Sequence, residues 1–308
     1  MSLSRNPEFQ IIAISHKRPR FYLPEAANKI IWKKADLRNS EDVSRVLSGV
    51  DILIQAAATT SGARDIVTKP YIHVTDNALM NSILLRESMN KGIKHFIFFS
   101  CTVMYHSSTI PIKETDWDPK LEINDRYFGV ANTKIYVEHM LDFYSRICDM
   151  KTTAIRHSNI YGPYDKFDFE RSHVFGATIS KVLTAEDEVV VWGTGEEERD
   201  LLYIDDLVRF VEAAISSQKR KFQLYNCGSA KSVSIKKLVK LIIEKSERTL
   251  SITHDLSKPT IKTSLCLDHS LATKELGWSP IYSLNNGVER TIEWWRQNID
   301  PEKLVLRS

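Results

Sequence analysis

Residues 95–100 read HFIFFS, a run of apolar side chains that lacks the alternation of a half-exposed strand. A continuous apolar run of this length is typical of a parallel strand covered by helices on both faces. Similar β-rich runs occur at 9–14, 30–34, 51–55 and 151–155. These five segments are therefore predicted to form the strands of one sheet.

Longer amphipathic stretches separate these strands. They predict helices over about 40–48, 72–91 and 130–148. Because parallel strands need a crossover connection, and a helix supplies it, this alternation predicts an α/β fold with a doubly wound parallel sheet.

The pattern changes after Tyr161, where Gly162-Pro163 interrupts it. Shorter strands and helices follow and predict a smaller α+β domain. We predict that the first domain covers residues 1–160, with 195–222 returning to it, and that the smaller domain covers 161–194 and 223–308.

The bulk composition is that of an ordinary globular chain. The 308 residues are 43% hydrophobic and 26% charged, with a net charge of +3. This small charge, with no concentrated basic patch, gives no reason to expect nucleic acid or a membrane surface as a partner. The four cysteines lack metal-site spacing, and the N-terminus lacks the apolar core of a signal peptide. We therefore expect a cytoplasmic protein without a bound metal.

Several short motifs, in their order and spacing, carry a resemblance to a known family. The chain resembles the extended short-chain dehydrogenase/reductase family, also called the NAD-dependent epimerase/dehydratase family, and within it the GDP-L-fucose synthase branch. The resemblance implies a Rossmann-like sheet and a substrate domain that binds a sugar nucleotide. The motifs are ADLR at 35–38, QAAA at 55–58, SNIYGP at 158–163, SHV at 172–174, VVVWG at 189–193, RDLLYIDD at 199–206, SKP at 257–259 and LGW at 276–278.

The family's sheet opens with a strand and a glycine-rich turn, in which glycines let the backbone approach a pyrophosphate. The first strand here, at 9–14, matches the family's second strand and has no such turn before it. Two explanations of the absent strand and turn stay open. The sequence is truncated, or the protein has abandoned tight binding of the cofactor. Either way, we predict weak or absent NAD(P) binding by the chain as it stands.

The resemblance implies an NADP or NAD site at the ends of the early strands. Ser15, Lys17 and Arg18 follow the first strand without an acidic residue, which slightly favours NADP, although a solvated basic loop explains them equally well. Asp36 and Leu37 match the family's adenine contacts. Small residues match the turn beside the nicotinamide: Ala56, Ala57 and Ala58.

The family's catalysis uses a hydroxyl, a tyrosine and a lysine that lowers the tyrosine's pKa and binds the nicotinamide ribose. Lys134 matches the lysine, but Val130 stands where the tyrosine belongs. Tyr127 is the nearest upstream tyrosine. It can substitute only if the helix starts late and the preceding loop folds back. Cys101 occupies the hydroxyl position, and Thr102 beside it is the better substitute.

The substrate positions are also assigned by resemblance. His173 matches the acid that transfers protons at the sugar ring. Asn159, Trp192 and Arg199 match sugar-nucleotide contacts. The family has a basic residue where this chain has a serine, at 264. Lys262 is the candidate that would compensate for the loss of this basic residue.

Two functions follow from this resemblance. The first is an NAD(P)-dependent oxidoreductase or epimerase acting on a nucleotide-linked hexose, with GDP as the favoured nucleotide. The second is a catalytically impaired sugar-nucleotide binding protein or partner subunit. The predicted helices over about 77–91 and 130–148 match those through which two subunits of family members associate as a four-helix bundle. We therefore expect a homodimer, and a heterodimer stays an alternative.

Overall fold

The computed structural model describes residues 2–17, 30–59, 71–169, 172–258 and 263–305. The strands are β1 (Ile11–Ser15), β2 (Ile30–Lys34), β3 (Ile52–Gln55), β4 (His95–Phe99), β5 (Lys151–His157), β6 (Asn159–Tyr161), β7 (Glu188–Trp192), β8 (Glu198–Tyr203), β9 (Phe222–Cys227), β10 (Ser232–Ser234) and β11 (Ser251–Asp255). The helices are α1 (Ser2–Arg5), α2 (Ser40–Val46), α3 (Tyr71–Lys91), α4 (Phe128–Ile147), α5 (Val174–Thr184), α6 (Ile204–Ser217), α7 (Ile235–Lys245), α8 (Ser270–Leu276), α9 (Leu284–Asn298) and α10 (Pro301–Val305).

Four parallel strands form the main sheet in the order β3-β4-β5-β9. The deciding stretch of the sequence is β4, in which the first four residues are buried and Phe99 is half-buried. A strand with parallel neighbours on both edges and helices on both faces has no exposed side, which explains its unbroken apolar sequence.

The five predicted strands do not form one continuous sheet among the described residues, because β1 and β2 form a separate parallel pair. Arg38, just after β2, donates hydrogen bonds to Asp36 and, at 3.0 Å, to Asp76 of α3. The next residue of α3, Asn77, accepts a hydrogen bond from the Thr59 amide beyond β3. The carboxyl ends of β2 and β3 therefore lie at the same edge of the molecule, and β1 runs in the same direction as β2.

Helices cover the main sheet on both faces. On one face α2, α3 and α4 bury Val43, Leu84 and Val137 against the sheet. On the other face α6 and α8 bury Phe210 and Ala272. This arrangement confirms the predicted Rossmann-like α/β class.

The remaining elements form small sheets of their own. Strand β8 pairs with β6 and β10, and β7 pairs with β11. Their core includes Tyr161, Phe175 and Trp295. Of the segment predicted to return to the first domain, 195–222, α6 packs on the main sheet, whereas β8 belongs to a small sheet. Strand β9, which pairs with β5, begins only at the last residue of that segment.

A buried ion pair links α4 to β5 at the centre of the sheet. The Arg156 and Glu138 side chains are 2% and 4% exposed and share two hydrogen bonds, of 3.0 and 2.6 Å. Glu138 also accepts a hydrogen bond from the Ser100 hydroxyl, and Arg156 donates to the Tyr105 hydroxyl. Both charged groups can be buried because each is compensated by the other and by these further hydrogen bonds.

Helix α4 begins two residues before its predicted start. A 3-10 turn over Asp125–Tyr127, capped by the Asn124 side chain, leads directly into Phe128. Across the described ranges, no helix combines the length and apolarity that a membrane span requires.

Candidate functional site

A cavity of about 500 Å³ opens beyond the carboxyl end of β4. The loop after β4 contributes Thr102 to its wall, the turn before α4 contributes Tyr127, and β6 and β8 contribute Asn159 and Arg199. Four residues singled out in the sequence, from four separate segments, therefore line one cavity.

Tyr127 immediately precedes α4, which begins at Phe128, earlier than predicted rather than late. The turn that contains Tyr127 nevertheless forms part of the cavity wall shared with Thr102. Tyr127 also lies within electrostatic range of Arg199. Val130 is half-buried in the first turn of α4, where it has no proton to transfer.

Lys134 lies behind this cavity, against the end of β4. Its Nζ donates a hydrogen bond of 2.7 Å to the Phe99 carbonyl and lies 4.5 Å from the centre of the Phe98 ring. Burial lowers the pKa of the Lys134 ammonium, with Cys101 and Glu138 acting weakly in the opposite direction. The amine is thus fixed in position at the carboxyl edge of the sheet.

The side chains that follow β4 have different environments. The Ser100 hydroxyl is buried and donates to Glu138. Burial raises the pKa of the Cys101 thiol, which keeps it protonated at neutral pH. Thr102 lines the cavity. Of these three, Thr102 has the geometry for contact with a ligand there.

His173 is the exposed residue that precedes α5. It is linked to Lys134 through His157, at the end of β5. Burial, together with the nearby charges of Lys134 and His173, lowers the pKa of His157 to about 4. Both residues therefore lie within electrostatic range of one imidazole ring.

Arg199 is held on β8 by oxygen atoms of its neighbours. Its Nη1 donates to the Glu198 carbonyl at 2.7 Å and to the carbonyl and hydroxyl of Thr263 at 3.1 and 3.0 Å. Asn159 Nδ2 donates to the Asp200 carbonyl at 3.2 Å. These bonds orient a guanidinium and an amide on the cavity wall.

Trp192, a further substrate candidate, does not line this cavity. Trp192 is half exposed at the end of β7, with the ammonium groups of Lys181 and Lys258 5.1 and 5.8 Å from its ring centre. It is not among the described residues that line the cavity. Lys262 lies outside the described residues.

Comparison with known proteins decides the family. The NAD dependent epimerase/dehydratase family matches residues 2–228. The chain belongs to this family. The resemblance drawn from the motifs is therefore confirmed.

The proteins that this chain resembles are named for different sugar nucleotides. The chain is 27% identical to GDP-mannose 3,5-epimerase of Arabidopsis thaliana, over 87% of this chain and 71% of that one. It is 27% identical to GDP-L-colitose synthase of Yersinia pseudotuberculosis, over 85% and 87%. The UDP-glucose 4-epimerase of Thermotoga maritima, solved with UDP-glucose, superposes with a TM-score of 0.85 at 23% identity, covering 97% of this chain and 94% of that one. The last likeness shows the shared fold.

Ser15 and Lys17 lie at the carboxyl end of β1, on the edge where this family's sheet binds its dinucleotide. Arg18 lies outside the described residues. Lys17 is exposed. The preference for NADP over NAD therefore stays a prediction.

Asp36 is already engaged at the end of β2. Its carboxylate accepts hydrogen bonds from Arg38 at 3.0 and 2.8 Å and lies 3.5 Å from His16. Arg38 holds the pKa of this carboxyl well below its usual range. Leu37 beside it packs against the core formed by α2 and α3.

Ala56, Ala57 and Ala58 are exposed beyond the end of β3. Gln55 fixes this turn, because its Oε1 accepts from the Ala57 amide at 3.1 Å and its Nε2 donates to Asn81 at 3.0 Å. The turn is thus ordered and sterically open to a ligand.

The described residues fit the two ends of a dinucleotide better than its middle. The residues that the resemblance assigns to the adenosine end (Asp36) and to the nicotinamide end (Ala56 and Lys134) lie at the carboxyl ends of β2, β3 and β4. The described residues directly after β1, β2 and β3 (16–17, 35–39 and 56–59) include no glycine. The pyrophosphate therefore has no glycine-rich backbone turn in the described part of the chain.

Sequence reasoning missed two histidines near the cavity. His106 lines it, and its buried Nε2 has no hydrogen-bond partner among the described residues. Nδ1 of His157 lies 2.8 Å from the Ser158 carbonyl, which requires the hydrogen on Nδ1. His106 follows a predicted strand end, and His157 precedes the SNIYGP motif. These positions were the only available signals.

Proposed function

We propose that this chain is an NAD(P)-dependent oxidoreductase or epimerase that acts on a GDP-linked hexose with a non-standard catalytic set. The observation that carries the proposal is the position of Tyr127 and Thr102 on the wall of one cavity with Asn159 and Arg199. The cavity thus combines two hydroxyl groups with a guanidinium and an amide, whose chemistry suits a nucleotide diphosphate.

Arg199 is the proposed contact for the diphosphate. A guanidinium binds phosphate oxygens through two parallel hydrogen bonds, and these are strengthened when the group is partly buried. Asn159 and His106 are the proposed partners for sugar hydroxyls. The unpartnered Nε2 of His106 would gain the hydrogen bond that its burial otherwise denies it.

Tyr127 and Thr102 are proposed to hold the sugar oxygen whose bond order changes, with Tyr127 donating or accepting its proton. Lys134, at the end of β4, is the proposed positive neighbour of these hydroxyls. With Ala56, Ala57 and Ala58 it would hold the nicotinamide end. The dinucleotide, when bound, supplies or accepts the hydride. His173 is the proposed acid for a proton at the sugar ring.

The scope of the reaction is narrower than that of a GDP-L-fucose synthase. By the resemblance to that branch, Val103 stands where its members carry a cysteine for epimerisation, and burial keeps the Cys101 thiol protonated. A single dehydrogenation or reduction at the hexose is therefore the proposed chemistry. GDP is favoured because the GDP-sugar enzymes named above share more of this sequence than the UDP-glucose epimerase does.

Turnover of GDP- and UDP-hexoses with NAD(P) at millimolar concentration tests the proposal. Replacing Tyr127 by Phe removes only the hydroxyl, and we expect a loss of about 10²- to 10⁴-fold in kcat. Tyr144→Phe, on α4 away from the cavity, is the matched control and should leave kcat unchanged. Turnover that is insensitive to Tyr127→Phe would contradict the proton-transfer role of Tyr127. No turnover of any sugar nucleotide in the panel would contradict the proposed enzymatic activity.

A specific observation favours the second candidate, a sugar-nucleotide binding protein without turnover. The side chain of Val130 has no proton that it could transfer, and the described residues show no glycine-rich turn that could bind a pyrophosphate. We therefore predict that calorimetric titration with NAD(P) gives no micromolar binding. Tight sugar-nucleotide binding with no product favours this candidate, and micromolar NAD(P) binding counts against it.

A homodimer through α3 and α4 is part of the proposal, in a cytoplasmic protein. Large apolar side chains are exposed on these adjacent helices, among them Leu79 (46%), Phe143 (48%) and Ile147 (51%). A second copy would cover them. Light scattering should report a dimer for the native chain and a monomer for Phe143→Glu, while a monomeric native chain would contradict the pairing.

A further inference from the structure

The carboxylate of Asp165 lies beside the start of α5, the helix that His173 precedes. Its Oδ1 atom accepts a hydrogen bond from the Lys166 amide at 2.7 Å. Its Oδ2 atom is buried and has no hydrogen-bond partner among the described residues. The local turn therefore accounts for only one of the two oxygen atoms. Because a buried acceptor without a donor is costly, a donor nearby would stabilise the second oxygen.

The turn that carries Asp165 is fixed against the helix. The Ser172 hydroxyl, just before α5, donates a hydrogen bond of 2.6 Å to the Lys166 carbonyl. Gly176, in the first turn of α5, permits the close approach, because a Cβ atom at this position would collide with the same carbonyl oxygen. The position of the carboxylate is therefore set by backbone contacts of its own turn.

His173 shares a side of α5 with the point that Asp165 approaches. A Cβ atom on Gly176 would lie 3.5 Å from Asp165 Oδ2. His173 precedes Gly176 by three residues, and residues at this spacing are neighbours on one face of a helix. The Ala177 amide donates to the His173 carbonyl at 3.0 Å, so the helical hydrogen-bond pattern already includes His173. The carboxylate thus lies beside the turn that begins at His173.

The charges around Asp165 agree with this placement. Burial raises the pKa of its carboxyl, and the hydrogen bond from the Lys166 amide and the charges of His173 and Lys166 act in the opposite direction. His173 is also within electrostatic range of His157, the ring that Lys134 influences from the end of β4. His173 therefore interacts both with the carboxylate and with the groups at the carboxyl edge of the sheet.

We propose that Asp165 is the positioning residue of His173. Its Oδ2 atom accepts a hydrogen bond from one N–H group of the imidazole, which fixes the tautomer and directs the other ring nitrogen at the sugar. An exposed side chain exchanges rapidly between rotamers, and this bond selects one of them. The proposal rests on the proposed function of His173 as the acid at the sugar ring. When the imidazolium donates its proton it becomes a neutral imidazole, whose N–H towards Asp165 is retained, and Asp165 stays a carboxylate.

Steady-state kinetics test the dependence of Asp165 on His173. Asp165→Asn keeps the size of the side chain and an acceptor for the turn amide, and it should lower kcat about ten- to a hundredfold with KM little changed. His173→Gln should lower kcat at least as much, and the double variant should be no slower than His173→Gln alone. Losses that multiply in the double variant would overturn the proposal. Asp187→Asn, an exposed carboxylate beyond the other end of α5, is the matched control and should leave kcat unchanged.

The tautomer of His173 is a second readout, which needs no turnover. Nitrogen-15 NMR above the titration range of an ordinary histidine should show one predominant tautomer for this ring, whose signals are assigned by their absence from His173→Gln. Asp165→Asn should move the tautomer ratio to that of an unconstrained histidine, and Asp187→Asn should not.

The two readouts separate the possible failures. An unconstrained ratio in the native chain, or the same ratio in the native chain and Asp165→Asn, would overturn the proposal. A ratio that depends on Asp165 in a chain without turnover would confirm the contact between Asp165 and His173 and would contradict the proposed enzymatic activity instead.

Discussion

The two parts of the parallel sheet are built from similar side chains but differ in burial. In β4, four of five residues are buried, whereas all five residues of β1 are only half-buried. Strand β4 has a partner on each edge, and β1 has one partner among the described residues. Burial of a parallel strand therefore depends on its neighbours as much as on its own hydropathy.

The same difference extends to the charged groups. Beside β4 and β5, Arg156 and Glu138 form an ion pair that water does not reach. Beside β2, Arg38 joins Asp36 and Asp76 in a cluster whose side chains are about one-third exposed. Solvent screens the second group, so its contribution to stability should be much smaller.

The largest expected effect is therefore in the buried pair. Glu138→Gln leaves the charge of Arg156 uncompensated, and we expect a loss of about 3–5 kcal/mol in the free energy of unfolding. Asp36→Asn, the matched change in the exposed cluster, should cost about 1 kcal/mol or less. Urea denaturation measures both. Equal losses would contradict the distinction between the two parts of the sheet.

Truncation of apolar side chains compares the strands directly. Ile97→Ala in β4 removes a fully buried side chain and should cost about 2–5 kcal/mol. Ile12→Ala in β1 removes a half-buried side chain and should cost less than half as much, because part of its surface is already solvated. A larger loss at Ile12 than at Ile97, in the same denaturation assay, would show that β1 is buried.

Acidification should weaken the part of the sheet that contains β4 and β5. Burial lowers the pKa of His95 to about 4, from the usual 6.5 of a free histidine. The unfolded chain therefore takes up protons first, so stability is fully present above pH 6.5 and is lost as the pH falls towards 4. The expected loss is about 2–3 kcal/mol per buried histidine. His95→Gln should remove its share of this pH dependence, and an unchanged profile would contradict the assignment.

The smallest expected effect concerns a helix cap in the open part of the molecule. Asn39 accepts hydrogen bonds from the Glu41 and Asp42 amides at the start of α2. Asn39→Ala should cost about 1 kcal/mol. Ser283→Ala, at the equivalent position of α9, serves as the control in a different core. A cost near zero for Asn39 alone, by thermal denaturation, would indicate that α2 contributes little to stability.

The sequence predicted the strands with apolar runs and the parallel class, because both depend on local composition. It did not predict β9 as the pairing strand, because Gln223 and Asn226 interrupt its apolar pattern and only the β5 partner makes it a strand. The Arg156–Glu138 pair joins a strand to a helix, so no local pattern revealed it. At the candidate site, the family motifs located Arg199 and Asn159, whereas the position of Tyr127 depended on the exact start of α4. His106 was missed because burial of one nitrogen atom has no sequence pattern.

The central claim is that the cavity beyond β4 holds a sugar nucleotide through Arg199. Calorimetric titration of GDP-mannose and UDP-glucose into the native chain and Arg199→Met tests it most directly, with Arg45→Met, an exposed residue of α2, as the control. The account predicts tighter binding of GDP-mannose, a loss of at least about thirtyfold in affinity on Arg199→Met, equivalent to about 2 kcal/mol, and no change with the control. Undiminished binding by Arg199→Met, or no binding of either sugar nucleotide by the native chain, would contradict it.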